Sequence, residues 1–136
     1  MARTPPSSAT PEATSLSDLQ LDLMRVLWSR GACTTTQVTE ALKPERGLAH
    51  TTVSTLLTRL EKRGVVAVER DGRQLVYRAA VDEAAVRRSM VSDLLGTLFG
   101  GDAQALVAHL VREDEIAADD LAAVRELLAQ RKADRT

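Results

Sequence analysis

A chain of 136 residues, 44% hydrophobic and 27% charged, has the size of one compact domain or of one small domain with an appendage. Its three aromatics (Trp28, Tyr77, Phe99) are too few to hold single-stranded nucleic acid by base stacking, and its one cysteine, Cys33, excludes an internal disulfide and a cysteine-based metal cluster. The net charge of −1 conceals an asymmetry: residues 1–80 hold eleven Lys and Arg against eight Asp and Glu, and residues 81–136 hold seven against eleven.

The chain opens with "MARTPPSSATPEATS", rich in Pro, Ser, Thr and Ala and without the apolar stretch of a signal peptide. Residues 1–15 are therefore expected as a disordered tail. No apolar run approaches the roughly 18 to 20 residues of a membrane span, so the expectation is a cytoplasmic protein with no membrane insertion.

Ser17 opens the first helix as N-cap, with Gln20 completing a capping box and Leu16 and Leu21 placed for a hydrophobic staple. Leu19, Leu23, Val26 and Leu27 follow at helical spacing, and Gly31 ends the helix. Thr34 and Gln37 form a second capping box, opening "TTQVTEAL" with Val38, Ala41 and Leu42 inward; "KPERG" should break this helix through Pro44 and Gly47. Cys33 reads as a small buried hydrophobe rather than a redox sensor.

The third helix is "AHTTVSTLLTRLEKRG", ending at Gly64 as a C′ glycine. On a helical wheel Val53, Leu56, Leu57 and Leu60 cluster on one face. Thr51, Thr55, Thr58 and Lys62 form the opposite stripe, with Ser54 on one flank and Thr52 and Arg59 on the other. No acid interrupts this face before Glu61. Threonine is a poor choice for a face that is merely solvated, where Glu, Lys and Gln form helix better. Small hydroxyl residues let a helix sit deep in the major groove, bonding phosphates or base edges and packing methyl on thymine methyl.

The period then changes. "VVAVER" and "RQLVYRAA" are strand-like runs joined at Asp71-Gly72, a hairpin signal in which both central turn positions favour positive φ. Arg70 and Arg73 flank this turn and suit a phosphate or a narrow minor groove. With Arg59, Lys62, Arg63 and Arg78 they concentrate positive charge in an otherwise acidic chain. His50, at the start of the third helix, is placed either to touch a phosphate or to pack. Three helices and a hairpin in this order make residues 16–80 a winged helix-turn-helix DNA-binding domain.

The second half is helical. Asp82 caps "EAAVRRSMVSDLLGTLF", with Val86, Met90, Leu94 and Leu98 on one stripe; Gly100-Gly101 breaks the helix and Asp102 caps the next, which carries Leu106, Val107, Leu110 and Val111. The last helix carries Leu121, Val124, Leu127 and Leu128, and residues 131–136 are expected as a tail. So much apolar surface on short helices calls for a second copy of the chain, making residues 81–130 a helical dimerisation domain. The fold class is thus mainly α with a small β-hairpin. The alternative is a self-contained helical cap.

"LSDLQLDLMRVLWSRG", "TTTQVTEAL", "AHTTVSTLLTRLEKRGVV" and "DGRQLVYRAA" together resemble the BlaI/MecI/CopY family of bacterial transcription regulators. "LLGTLFGGDAQALVAHLVREDEIAADDLAAVRELL" resembles that family's dimerisation region, so the likeness covers about residues 16–130. The resemblance implies a homodimeric repressor on inverted-repeat operators, with half-sites of the TACA/TGTA kind read by Thr51, Thr52, Ser54, Thr55 and Arg59 and a wing contact from Arg73. The copper-responsive branch carries C-terminal Cys-x-Cys motifs, which this chain lacks after Cys33. The β-lactam branch is inactivated by a membrane sensor-protease at an Asn-Phe pair, whose matching positions here are His109-Leu110.

The expected function is repression by occupancy of a palindromic double-stranded DNA operator, without metal or cofactor. The rival readings are an effector-responsive regulator with a pocket at the dimer interface, and a winged helix used for protein interaction. No set of nucleophile, base and orienter, no paired acid and no phosphate loop points to an enzyme.

Overall fold

Two reciprocal capping boxes fix where the first two long helices begin. In the computed structural model, which describes residues 16–135, the Ser17 hydroxyl accepts from the Gln20 N–H at 3.1 Å while Gln20 Oε1 accepts from the Ser17 N–H at 3.0 Å. Thr34 and Gln37 repeat the exchange at 3.2 and 2.8 Å. Each box satisfies N–H groups that a first helical turn leaves without a carbonyl. The helices are α1 (Asp18–Arg30) and α2 (Thr35–Arg46), with a short strand β1 (Cys33–Thr34) between them. The tail expected at residues 1–15, and Thr136, lie outside the described residues.

Pro44 does not break α2. The helix runs on to Arg46 and ends at Gly47, whose φ of +59° lets its N–H bond the Lys43 carbonyl at 3.0 Å. Proline removes the N–H that would reach the Glu40 carbonyl, but Glu40 and Pro44 are both exposed, so water can satisfy it.

Helix α3 (His50–Lys62) ends in a Schellman motif. Gly64, at φ +80°, donates to the Glu61 carbonyl at 3.0 Å, and Val65 donates to the Leu60 carbonyl at 2.9 Å. Leu60 and Val65 are both fully buried, which supplies the apolar contact that accompanies this cap.

Strands β2 (Val66–Asp71) and β3 (Gln74–Ala79) form the expected hairpin, with Asp71 opposite Gln74. The central turn residues are therefore Gly72 and Arg73, one position later than expected. Only Gly72, at φ +63°, lies in the left-handed region, as at the first central position of a type II′ turn. The sheet also has a third strand beyond the expected hairpin. β1 pairs antiparallel with β3, Cys33 opposite Tyr77, giving the sheet order β1-β3-β2. Two residues are too few to show a strand period.

Leu23, Met24 and Leu27 of α1, Val38 and Leu42 of α2, and Val53, Leu57 and Leu60 of α3 share one core with Val66, Tyr77 and the buried Cys33. The Trp28 indole N–H donates to the Val81 carbonyl at 2.9 Å, which holds the chain leaving the wing against α1. This is the winged-helix arrangement.

The remaining helices are α4 (Glu83–Phe99), α5 (Ala103–Arg112) and α6 (Ala118–Arg135). Two compact units, Met1–Val91 and Ser92–Thr136, divide the chain inside α4, later than the boundary expected at residue 80. Val86 and Met90 account for the difference. Both were expected in a dimer interface; instead Val86 is buried in the winged-helix core and Met90 is packed against it. In the second unit, Asp102 caps α5 by accepting from the Ala105 N–H at 3.2 Å. Helix α6 continues to Arg135, so residues 131–135 are not a tail. Their Arg, Lys and Ala favour helix, no Gly or Pro stops them, and Lys132 and Arg135 suit the negative end of the helix dipole. Among the described residues from 92 to 135, none is buried.

Candidate nucleic-acid interface

Helix α3 is amphipathic in an uncommon way. Val53, Leu57 and Leu60 are fully buried and Leu56 is half-buried, so about two turns of the helix are anchored in the core. Thr51, Thr52, Thr55, Thr58, Arg59 and Lys62 are exposed, and Ser54 is half-buried. Thr52, on the flank of an ideal wheel, is exposed like Thr51.

The hydroxyls on this face fall into two sets. Thr55 donates to the Thr51 carbonyl at 3.0 Å, and Thr58 donates to the Ser54 carbonyl at 2.9 Å. With the proton turned back to the helix, these two oxygens can accept but not donate, while each residue keeps a γ-methyl. The hydroxyls of Thr51, Thr52 and Ser54 have no such bond among the described residues and can donate to an acceptor. The helix starts at Ala49, which supplies no side-chain cap, and its first turn holds no acid. A partner rich in acceptors meets free donors at this end and no repulsion.

The wing carries the second basic element. The one-residue shift of the turn places Arg73 at the hairpin tip, where it is exposed, and Arg70 is exposed on β2 opposite Leu75. Arg78, by contrast, pairs with Glu69 at 3.4 Å across the hairpin, so its charge is partly matched. His50 is exposed and borders the same cleft as Arg73, which favours a surface role over packing. Thr35, Thr36 and Gln74 also border that cleft, and no periodicity in the sequence marks them.

Cys33 has no part in this surface. Burial pushes its thiol up from the ordinary value, against a lesser opposing effect of the Arg30 charge, and so disfavours the reactive thiolate. Among the described residues no group of three or more His, Cys, Asp or Glu side chains is arranged to hold a metal ion.

Of the residues expected at a dimer interface, Leu94, Leu98, Val124 and Leu128 are exposed, and Leu106, Leu110 and Leu121 are half-buried. His109 is exposed in α5, its ring centroid 5.8 Å from that of Phe99. No single helix among the described residues is long and apolar enough to cross a membrane.

Comparison with known proteins agrees with this geometry. The family model described as penicillinase repressor matches residues 16–130. The "Transcriptional regulator BlaI" of Mycobacterium tuberculosis (strain CDC 1551 / Oshkosh) is 38% identical over 122 residues, covering 88% of this chain and 87% of that protein. The "Penicillinase repressor" of Bacillus licheniformis is 24% identical over 117 residues, covering 86% of this chain and 91% of that protein. Among solved structures, the complex structure of hsRosR-S4 shares the fold, with a TM-score of 0.53 at 20% identity over 94% of this chain and 99% of that one. A winged helix with an acid-free hydroxyl face, a basic wing and this match along nearly its whole length has one reading: the chain belongs to the penicillinase repressor family, the BlaI/MecI type of winged-helix DNA-binding transcriptional repressors.

Proposed function

We propose that the chain represses transcription as a homodimer on an inverted-repeat operator, acting in the cytoplasm by occupying the site. The observation that carries the dimer is the second unit: none of its described residues is buried, while Leu98, Leu127 and Leu128 are 68%, 66% and 57% exposed. Helices of this length cannot hold their fold with their leucines in water, and a second copy supplies the missing core. The proposed interface comprises Leu94, Leu98, Leu106, Leu110, Leu121, Val124 and Leu128.

Each subunit then offers one reading head: α3, with Thr51, Thr52, Ser54, Thr55, Thr58, Arg59 and Lys62, and a wing with Arg70 and Arg73. Coupling two heads turns the second binding step into an intramolecular one, which raises affinity about 10² to 10⁴-fold. Whatever splits the dimer therefore releases DNA without touching α3. Cleavage at His109–Leu110 by a membrane sensor-protease is such an event, since that bond lies inside α5 and cutting it detaches α6 from α4.

The test is fluorescence anisotropy on DNA from upstream of the protein's own gene, with a scrambled duplex as control, at two salt concentrations. Sequence-specific binding that weakens steeply with salt is the expected result. Leu106→Asp should give a monomer in sedimentation and lose about a hundredfold in operator affinity. A Leu106→Asp protein that remains dimeric with full affinity refutes the proposed interface.

A further inference from the structure

A cleft of about 270 Å³ lies between the start of α2, the first turns of α3 and the wing tip. Thr35 and Thr36 line it from α2, His50 and Ser54 from α3, and Arg73 and Gln74 from the wing. Every one of these side chains can donate a hydrogen bond, and no carboxylate lines the cleft. Arg73 has no ion pair among the described residues, and the hydroxyls of Thr35, Thr36 and Ser54 have no hydrogen-bond partner there. Thr34, also in the wall, accepts the Gln37 N–H at its hydroxyl oxygen and keeps its own O–H to donate.

The groove between α1 and α2 is the internal contrast. It is lined by Arg25 and Arg30, but Asp22 and Glu45 line it with them, and Arg25 bonds Asp22 at 2.9 Å. There the donors have acceptors. In the wing cleft a guanidinium, an imidazole, an amide and three hydroxyls converge with no carboxylate to match the guanidinium, a lining that suits an anion.

We propose that this cleft seats one backbone phosphate of the bound DNA, held by Arg73, His50, Thr35 and Thr36. The inference rests on the DNA-binding reading of α3 and adds a site to it. The occupant is a backbone phosphate rather than a free anion because His50 and Ser54 belong to the helix whose exposed face carries Thr51 and Thr55. A duplex that receives this helix in its major groove runs the bordering strand past the cleft. Such a contact carries no sequence information and sets the register of the reading head.

The test uses the full-length protein and anisotropy with operator and scrambled duplexes. Thr36→Val and His50→Gln, on exposed positions, should each weaken binding to both duplexes by about tenfold, the value of a charge-assisted hydrogen bond. The ratio between the two duplexes and the melting temperature should not move. Neutral methylphosphonates introduced one position at a time should identify one phosphate per half-site that costs the wild-type protein about tenfold. The same replacement should cost the Thr36→Val/His50→Gln protein little, because the two changes remove one interaction.

Unchanged affinity in all variants, or a changed ratio, overturns the proposal. So does stabilisation of the wild-type protein, but not of His50→Gln, by millimolar inorganic phosphate with DNA affinity unaltered, because the cleft then takes a free anion. Failure of the wild-type protein to bind either duplex refutes the DNA reading itself, and is distinguished by needing no variant.

Discussion

Thr55 separates two ways in which a hydroxyl face can read DNA. Its proton is engaged by the Thr51 carbonyl at 3.0 Å. Phosphate oxygens, guanine N7 and O6, and thymine O4 all accept, so this hydroxyl offers them nothing. The γ-methyl remains, and it suits a thymine methyl. Thr55→Val keeps the shape, the branch at Cβ and the methyl, with a helix preference close to that of threonine. It removes only a back-bond that adds little to a helix. Operator affinity should therefore stay within about twofold. Thr55→Ser keeps the hydroxyl and loses the methyl, at about 0.8 kcal/mol for one buried carbon, or about fourfold in affinity. Thr51→Val removes a hydroxyl that is free to donate and should cost about tenfold. Anisotropy at fixed salt, with a thermal melt of each variant, reads all three. A tenfold loss in Thr55→Val with Thr55→Ser unaffected would show that the hydroxyl leaves its carbonyl to donate to DNA, and the methyl reading would be wrong.

Leu57→Ala, at a fully buried position behind the reading face, should destabilise the winged helix by about 2–5 kcal/mol and lower Tm by about 10 °C or more in a calorimetric melt. Asp114 holds φ +60° just after α5, where its N–H bonds the Val111 carbonyl at 3.2 Å; Asp114→Gly relieves the left-handed strain and should stabilise the chain by about 0.5–1 kcal/mol in a denaturant titration. Arg46 bonds Asp22 at 2.6 and 2.8 Å and holds its carboxyl below the ordinary value of 3.8. Because the folded value is the lower one, this contribution is present above pH 3.8 and disappears as pH falls through the folded value. Asp22→Asn should therefore melt below the wild type at neutral pH, and the gap should close in acid; a gap that widens in acid refutes the assignment.

Features with a local cause were legible in order along the chain. Ser17 with Gln20 and Thr34 with Gln37 lie three residues apart, so each capping box is written in adjacent letters. The stripe Val53, Leu57, Leu60 and its threonine reverse need only the helical period. Gly64 ends α3 because a left-handed residue is required there, whatever surrounds it. The family resemblance rests on these same stretches, and residues 16–130 match the family model.

What depends on distant partners was not legible. The pairing of Cys33 with Tyr77 joins residues far apart in the chain, and it adds a strand that no two-residue pattern announces. The register of β2 against β3 moves the turn onto Gly72-Arg73 and so puts Arg73, rather than Asp71, at the tip. Val86 and Met90 lie on one apolar stripe with Leu94 and Leu98, yet the winged-helix core takes the first two and leaves the second two exposed. Arg78 is countered by Glu69 and Arg73 is not, though both are arginines of one hairpin. The sequence by itself determined which segments form the helices and the hairpin, where most of them stop and which face of α3 is polar, because capping, turn and period are near-neighbour physics. Tertiary structure alone decided which apolar side chains share the first core, which arginines remain unmatched, and that Thr35, Thr36, His50 and Arg73 border one cleft, because each of these depends on which surfaces the folded chain brings together.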